Sequence, residues 1–382
     1  MNLKGWDKMD IGRDKWLGNL PDPFMGADGR RMTSIEQWPE QRRTLIGKTV
    51  PLLYGGMPPK PEVFRLTYLF NWHNRLYTYL IEAGTREKTV QLKLQLFVPE
   101  GDGPFPVVLD GDGCCHYMND DVIKMINDRG YIAAKFDRTE LAKDNYGDSS
   151  RDLGLYTVYP ELSFGALAAW AWGYHRCVDA FERLDLVDSG CVAITGHSRG
   201  GKTTLLAAAT DDRILFTQDN SSGAAGGGCF RYEQYADPEY VKKFALEDDR
   251  SERLADLLGP VPYWLGPDMP GYVGRETELP FDQHFLKAAV APRWLLLNNT
   301  LDDIWANPNG AYQTYLAAKE VYAFLGAEDH IASVYRYGTH YHRPEDFLVF
   351  LDFIDCARQG RRFLRDNSAL AIDMPRLYSW GE

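Results

Sequence analysis

Cys191-Val-Ala-Ile-Thr-Gly-His-Ser-Arg-Gly-Gly-Lys-Thr-Thr-Leu-Leu-Ala-Ala-Ala209 is the stretch that decides the fold. A short apolar run enters a Gly-x-Ser-x-Gly bend at Gly196–Gly200 and leaves it directly as a helix-forming run. That strand–bend–helix context is what a nucleophile elbow requires: the serine sits on a sharp turn with its hydroxyl clear of the backbone. The flanking glycines fit because a Cβ at either position would collide with a neighbouring strand or helix. The alternative is an ordinary tight turn carrying an exposed serine.

The segments on either side have the matching periods. Val90-Gln-Leu-Lys-Leu-Gln-Leu96 alternates as a strand with one wet face, and Phe105-Pro-Val-Val-Leu109 is a buried strand ending in Asp110-Gly-Asp-Gly113. A helix over 122–129 and a strand over 131–136 follow. After a long loop over 137–160 comes a helix at about 160–184, with Leu167, Trp170, Tyr174, Cys177, Val178, Phe181 and Leu184 on one apolar stripe. Beyond the elbow, strands are predicted at 214–218, 294–298 and 331–337, and helices at 310–325 and 344–361. Residues 63–83 are β-rich but alternate poorly. Alternating βα units imply a three-layer α/β sandwich, a mostly parallel twisted sheet with helices on both faces.

The chain then reads as a single α/β-hydrolase domain over 1–382. Residues 1–60 form an irregular extension, with one helix starting between Ser34 and Pro39 and Gln37 placed for a capping box on Ser34. Residues 222–290 lack strand–helix alternation and carry Phe230, Tyr232, Tyr235, Tyr240, Phe244, Tyr263, Trp264 and Tyr272. They read as an inserted cap or lid, or else as aromatic loops packed for stability alone.

A serine hydroxyl becomes nucleophilic when an imidazole takes its proton, and a carboxylate must hold that imidazole in the right tautomer. In this fold nucleophile, acid and base follow in chain order. His340, in Tyr337-Gly-Thr-His-Tyr-His-Arg343, is the expected base, and His342 is the alternative base, otherwise expected at the substrate. Asp303 is the expected acid, with Asp302 beside it and Asp219 as further alternatives. His197, next to the serine, is expected to point away from it. The backbone N–H of Arg199 is placed for the oxyanion, and the glycine-rich turn at Gly113 and Cys114 is the expected source of a second donor. Arg199 and Lys202 both lie in the first turn of the elbow helix, where the dipole disfavours cations. Lys202 follows Ser198 by four residues, so the pair suggests a site for an anion or for several substrate oxygens.

Bulk properties narrow the partners. Forty-two basic and 54 acidic residues give a net charge of −12, which argues against nucleic acid or an anionic membrane. No run approaches the ~18 apolar residues of a membrane span. Met1–Asp10 lacks an apolar leader core, so a cytoplasmic protein is expected, a secreted one only if a leader has been removed. The six scattered cysteines show no zinc spacing, and the adjacent pair Cys114-Cys115 is a poor candidate for a disulfide; this usage fits a reducing compartment. No metal or other cofactor is expected, and the oligomeric state is open.

One set of motifs is specific when taken together. Leu20-Pro-Asp-Pro-Phe24, Asp28-Gly-Arg30, Trp38-Pro-Glu-Gln-Arg-Arg43, Gly196–Lys202, Ser222-Gly-Ala-Ala-Gly-Gly-Gly-Cys-Phe-Arg231, Pro280-Phe-Asp-Gln-His284, Ala291-Pro-Arg293 and Asp303-Ile-Trp-Ala-Asn-Pro308 occur in that order. In this set the chain resembles the glucuronoyl esterases of carbohydrate esterase family 15 and their bacterial relatives of acetyl-xylan-esterase type. The resemblance implies an α/β-hydrolase fold and a metal-free acyl-serine mechanism on sugar-acid esters. It places the nucleophile on Ser198, an oxyanion-assisting arginine on Arg199, a sugar-contacting lysine on Lys202, a tryptophan at the sugar on Trp305 and the base on His340. Two departures stand out: the fungal acid in a Glu-Ser-Gly segment is replaced by Ser221-Ser222-Gly223, which agrees with an acid at Asp303, and His197 stands where many members have cysteine.

The expectation is therefore a serine carboxylic ester hydrolase acting on a small-molecule or oligosaccharide ester of a sugar or sugar acid. The alternatives are an acetyl esterase or acyl transferase on another small molecule, and an inactive hydrolase-fold binding protein.

Overall fold

The computed structural model describes residues 12–244 and 249–380. Its centre is one nine-stranded sheet. In chain order the strands are β1 (Val63–Trp72), β2 (Leu76–Gly84), β3 (Thr89–Phe97), β4 (Phe105–Asp110), β5 (Ile132–Lys135), β6 (Val187–Thr195), β7 (Ile214–Asn220), β8 (Trp294–Thr300) and β9 (Ile331–Arg336). Across the sheet the order is β9-β8-β7-β6-β4-β5-β3-β2-β1. β4 to β9 pair in parallel, and β1, β2 and β3 extend the sheet antiparallel. The parallel half matches the βα alternation of the sequence. In β3 the alternation is literal: Val90, Leu92, Leu94 and Leu96 are buried while Gln91 and Lys93 are exposed. β1 alternates poorly because it is the outer edge and exposes Tyr68, Leu69, Phe70 and Trp72.

Seven helices matter for the site: α1 (Trp38–Tyr54), α2 (Asp120–Asp128), α3 (Ala166–Phe181), α4 (Arg199–Thr210), α5 (His284–Val290), α6 (Pro308–Phe324) and α7 (Pro344–Arg358). Besides a small cluster around Leu20, Tyr232 and Tyr378, two apolar cores form, one on each face of the sheet. The larger gathers residues of α1, α3, α4, α5 and α6, and the smaller gathers Val122 and Ile126 of α2 with Phe347, Phe350 and Phe353 of α7. α3 differs from the predicted single stripe: all its side chains except Asp179 are buried. The reason is that its outer face is roofed by irregular chain, Trp170 donating to the Ala142 carbonyl and Trp172 to that of Pro59, both at 2.8 Å.

The segment before β1 is less irregular than expected. The Gln37 side chain accepts from the Ser34 N–H at 3.1 Å, and the 17-residue α1 follows. Arg42 on α1 donates to the carbonyls of Ala209 and Ala289, tying α1 to the ends of α4 and α5. Ser198, Asp303 and His340 hang on the carboxyl ends of β6, β8 and β9, the crevice position expected for a ligand of a parallel sheet.

Candidate active site

The turn between β6 and α4 is strained in the manner of an elbow. Ser198 has φ 54 and ψ −117, a conformation that a side chain rarely adopts without surrounding restraint. The restraint is visible. The Ser198 N–H donates to the Asn220 carbonyl at 2.8 Å, and the His197 N–H donates to Asp112 Oδ2 at 2.8 Å. A Cβ on Gly196 would lie 2.6 Å from the Gly200 carbonyl group, and one on Gly200 would run into the Asp112 carboxylate. The two glycines are thus required by the backbone of the turn itself and by a buried acid from the end of β4.

Past β8, Asp303 is buried and its Oδ2 accepts from His340 Nδ1 at 2.6 Å. Its Oδ1 accepts from the Ala306 N–H at 3.3 Å, so both carboxylate oxygens are committed. With the carboxylate on Nδ1–H, Nε2 of His340 carries the lone pair. The neighbouring Asp302 does something else: its Oδ2 accepts from the Gly338 N–H at 2.8 Å and ties down the loop that bears His340. The His340 side chain is 37% exposed against 2% for Asp303, a wet ring on a dry anchor. Ser198, Asp303 and His340 line one cavity of about 320 Å³. Among the described hydrogen bonds none joins the Ser198 hydroxyl to His340, and such bonds commonly tighten only around substrate.

His342 is not brought to the cavity, contrary to expectation. It is 1% exposed, stacked on Phe347 at 4.0 Å between centroids, and burial draws its pKa down to about 4. His197 is absent from the cavity that Ser198 lines. Its ring lies 4.5 Å from that of His340, with Nδ1 2.6 Å from Asn220 Oδ1; burial, first, and then the neighbouring histidines hold it well below the usual imidazole range.

The same cavity is also lined by the two cations of the elbow helix. Arg199 reaches Asp144 Oδ2 at 3.0 Å and the Tyr146 hydroxyl at 2.8 Å, with its guanidinium over the Trp264 ring. Lys202 is buried rather than solvated: its ammonium donates to the Ser222 and Ala224 carbonyls and to Glu252 Oε2 at 2.9 Å. Glu252 also faces this cavity, and burial raises its pKa against the opposing pull of Lys202. Trp305 lines the same wall and its carbonyl accepts from the Glu252 N–H at 2.9 Å. Ser221, Ser222 and Gly223 line it too, where the fungal pattern would carry an acid. Asp219, the further alternative acid, is buried outside this cavity.

The expected second oxyanion donor fails at Gly113 and Cys114. The Gly113 N–H donates to the Phe136 carbonyl at 3.1 Å, and a Cβ there would lie 2.6 Å from that oxygen. Its glycine serves the packing of β4 on β5, and neither residue lines the cavity. Arg199, at the first residue of α4, keeps a backbone N–H of the kind left unpaired at a helix start. Glu252, Asp144 and Tyr146 were not foreseen from the sequence. They sit on segments without period or motif, and only the misplaced cations at Arg199 and Lys202 signalled that partners must exist. Among the described residues no cluster of three or more His, Cys, Asp or Glu could hold a metal ion.

A model of the fungal glucuronyl esterase family matches residues 81–326. The chain belongs to this family. It is a serine carboxylic ester hydrolase of the α/β-hydrolase fold. The esterase is 29% identical over 366 residues to 4-O-methyl-glucuronoyl methylesterase 1 of Wolfiporia cocos, covering 93% of this chain and 83% of that protein. A carbohydrate esterase family 15 glucuronoyl esterase from Caldicellulosiruptor kristjansonii superposes with a TM-score of 0.78 at 29% identity, over 92% of this chain and 96% of that one. A glucuronoyl esterase of Sporotrichum thermophile, solved with methyl 4-O-methyl-β-D-glucopyranuronate, shares the fold at a TM-score of 0.72 and 22% identity, over 95% of this chain and 96% of that one.

The comparisons correct one expectation. The relatives are secreted, extracellular glucuronoyl esterases, so a cytoplasmic placement of this esterase does not stand. The stretch that prompted it, Met1–Asp10, lies outside the described residues. The six free cysteines do not decide the compartment either: three are buried, where packing governs them. Among the described residues no helix is long and apolar enough to cross a membrane.

Proposed function

We propose that the esterase cleaves esters of a 4-O-methyl-glucuronic acid type sugar acid, with Ser198 as nucleophile, His340 as general base and acid, and Asp303 orienting His340. The observation that carries this reading is the 2.6 Å contact of Asp303 with His340 Nδ1 in the lining of the cavity that Ser198 shares. Ser198 Oγ attacks the ester carbonyl while its proton passes to His340 Nε2. The negative oxygen of the tetrahedral intermediate is held by the Arg199 N–H, with the guanidinium adding positive charge from the same wall. His340 returns the proton to the leaving alcohol, and water activated by the same ring then frees the acyl-serine. Glu252, held by Lys202, accepts from the sugar hydroxyls, and Trp305 offers its face to the ring. Residues 222–290 act as the cap of this single domain, supplying Glu252 and Trp264 to the cavity.

The substrate class rests on what the relatives are named for, methyl esters of 4-O-methyl-glucuronic acid. Hydrolysis of methyl and benzyl glucuronates, measured beside acetylated sugars and with competing alcohols present, tests it. Faster turnover of the glucuronates with free acid as product is the expected result. Preference for acetyl sugars makes it an acetyl esterase, and capture of the acyl group by the alcohol makes it a transferase. A fluorophosphonate that leaves Ser198 unlabelled overturns the acyl-serine mechanism.

A further inference from the structure

Cys114 and Cys115 stand side by side on the turn after β4, with their sulfur atoms 3.7 Å apart. Cys115 is exposed and Cys114 half-buried, whereas Cys177, Cys191 and Cys229 are buried and no partner sulfur is recorded at Cys356. The turn is pinned by the Cys115 N–H, which donates to the Asp112 carbonyl at 2.8 Å. A buried guanidinium faces the pair: Arg138 Nη2 lies 4.0 Å from Cys115 Sγ. The Cys114 S–H is the largest influence drawing the Cys115 thiol down towards the thiolate, the Arg138 charge adds to it, and Cys114 is raised in turn. A thiolate stabilised beside a second thiol is the arrangement that exchanges with disulfides.

We propose that Cys114 and Cys115 form a thiol–disulfide exchange site whose reactant is a low-molecular-weight disulfide. The Cys115 thiolate attacks one sulfur of the reactant, forming a mixed disulfide and releasing one thiolate. The Cys114 thiol loses its proton to solvent and attacks Cys115 Sγ, closing a Cys114–Cys115 disulfide and releasing the second thiolate. The protein loses two hydrogens and two electrons, and one small disulfide becomes two thiols. The tight ring between adjacent residues is poorly suited to a permanent structural bridge, and for that reason it is readily reopened by reductant.

Arg138 connects this site to the serine turn. It pairs with Asp112, which holds the His197 N–H, and with Asp144 Oδ2 at 3.1 Å, which holds Arg199. Ring closure removes the thiolate that Arg138 faces, so the redox state of the pair is read in turnover.

The test treats the reduced full-length protein with oxidised glutathione. Intact mass should fall by two hydrogens, mapped to the peptide holding residues 114 and 115, with kcat several-fold lower, KM unchanged and both reversed by dithiothreitol. Cys114→Ser should stop at a glutathione adduct on Cys115, and Cys115→Ser should not react at this turn. Phenylarsine oxide on the unaltered protein should bridge the pair and protect both thiols from alkylation, a readout independent of the variants. Failure of the arsenical to bridge, or persistence of the glutathione adduct in the unaltered protein, overturns the exchange site. Closure with unchanged kcat overturns the link through Arg138.

Discussion

The two walls of the cavity are built in different ways. The proposed catalytic wall hangs on the ends of three parallel strands, with β7 lying between the first and the second: Ser198 after β6, Asp303 after β8 and His340 after β9. Its members are spaced far apart in sequence but each follows a strand, so the sheet places them. The proposed sugar wall joins α4 to the irregular segment after β7: Lys202 meets Glu252 across 50 residues, and among the described residues the part after β7 holds only a two-residue strand and one short helix. One wall is positioned by backbone ladders and the other by a buried ion pair. Damage to the first should appear in kcat and damage to the second in KM and in stability, and experiments can be chosen to break that division.

The largest effect is expected at the catalytic wall. Ser198→Ala should lower kcat by about 10⁴–10⁶-fold, with the fold intact and KM near the parent value. Asp303→Asn, which keeps shape but spoils the tautomer of His340, should cost about 10⁴-fold. Stopped assays with a chromogenic glucuronate ester read both. A Ser198→Ala protein that retains turnover would remove the acyl-serine from the reaction.

At the sugar wall, Lys202→Met leaves the Glu252 carboxylate buried without its cation. Loss of one partner of such a pair costs about 3–5 kcal/mol of stability, and KM for the glucuronate ester should rise while hydrolysis of a simple phenyl acetate keeps its KM. Glu252→Gln retains an acceptor for the ammonium and should be milder on both counts. Thermal melting and the two KM values check this. If Lys202→Met raised both KM values equally, the pair would be a scaffold for the whole cavity and the division between the walls would fail.

This division also explains what was legible in the sequence. The gathering of Ser198, Asp303 and His340 on one cavity was readable because strand period and chain order locate the ends of strands. Glu252 was not, because Asp249-Arg250-Ser251-Glu252 has neither period nor motif and its role exists only once Lys202 is buried against it. Gly113 misled in the other direction: a glycine-rich turn after a strand is what an oxyanion loop looks like, but here the missing Cβ makes room for the Phe136 carbonyl. That the second histidine of the 337–343 loop packs into the core was equally hidden, since Phe347 on α7 decides it by stacking on His342.

The inward ring, His342, carries a pH signature. His342 protonates at about 6.5 when unfolded and only at about 4 in its buried place. The unfolded chain therefore binds the proton first, so the full contribution is present above the unfolded value and is lost as pH falls towards 4. His175 and His284, also held at about 4 by burial, act in the same direction. Replacing His342 by Phe should remove one share of this acid sensitivity, at most about 3 kcal/mol. Melting temperatures of both proteins across pH 4–7 measure the share. An unchanged slope would mean that the ring is charged in the fold, and that the inward wall of the loop is not dry.

The smallest expected effect separates the two adjacent acids. Asp302 accepts from the Gly338 N–H, and that residue sits at φ +124, where a side chain is strained and a Cβ would crowd the Arg343 guanidinium. The loop cannot easily rebuild this bond from another residue, so Asp302→Ala should loosen His340 without touching its partner. One hydrogen bond of this kind is worth about 1 kcal/mol, which corresponds to about fivefold in kcat. The loss should appear with KM unchanged, and it should be additive with Lys202→Met, since one bears on the loop of His340 and the other on the ion pair with Glu252. A loss at Asp302→Ala that matched Asp303→Asn would move the orienting acid one residue back along the chain, and the 2.6 Å contact with His340 would then be packing rather than mechanism.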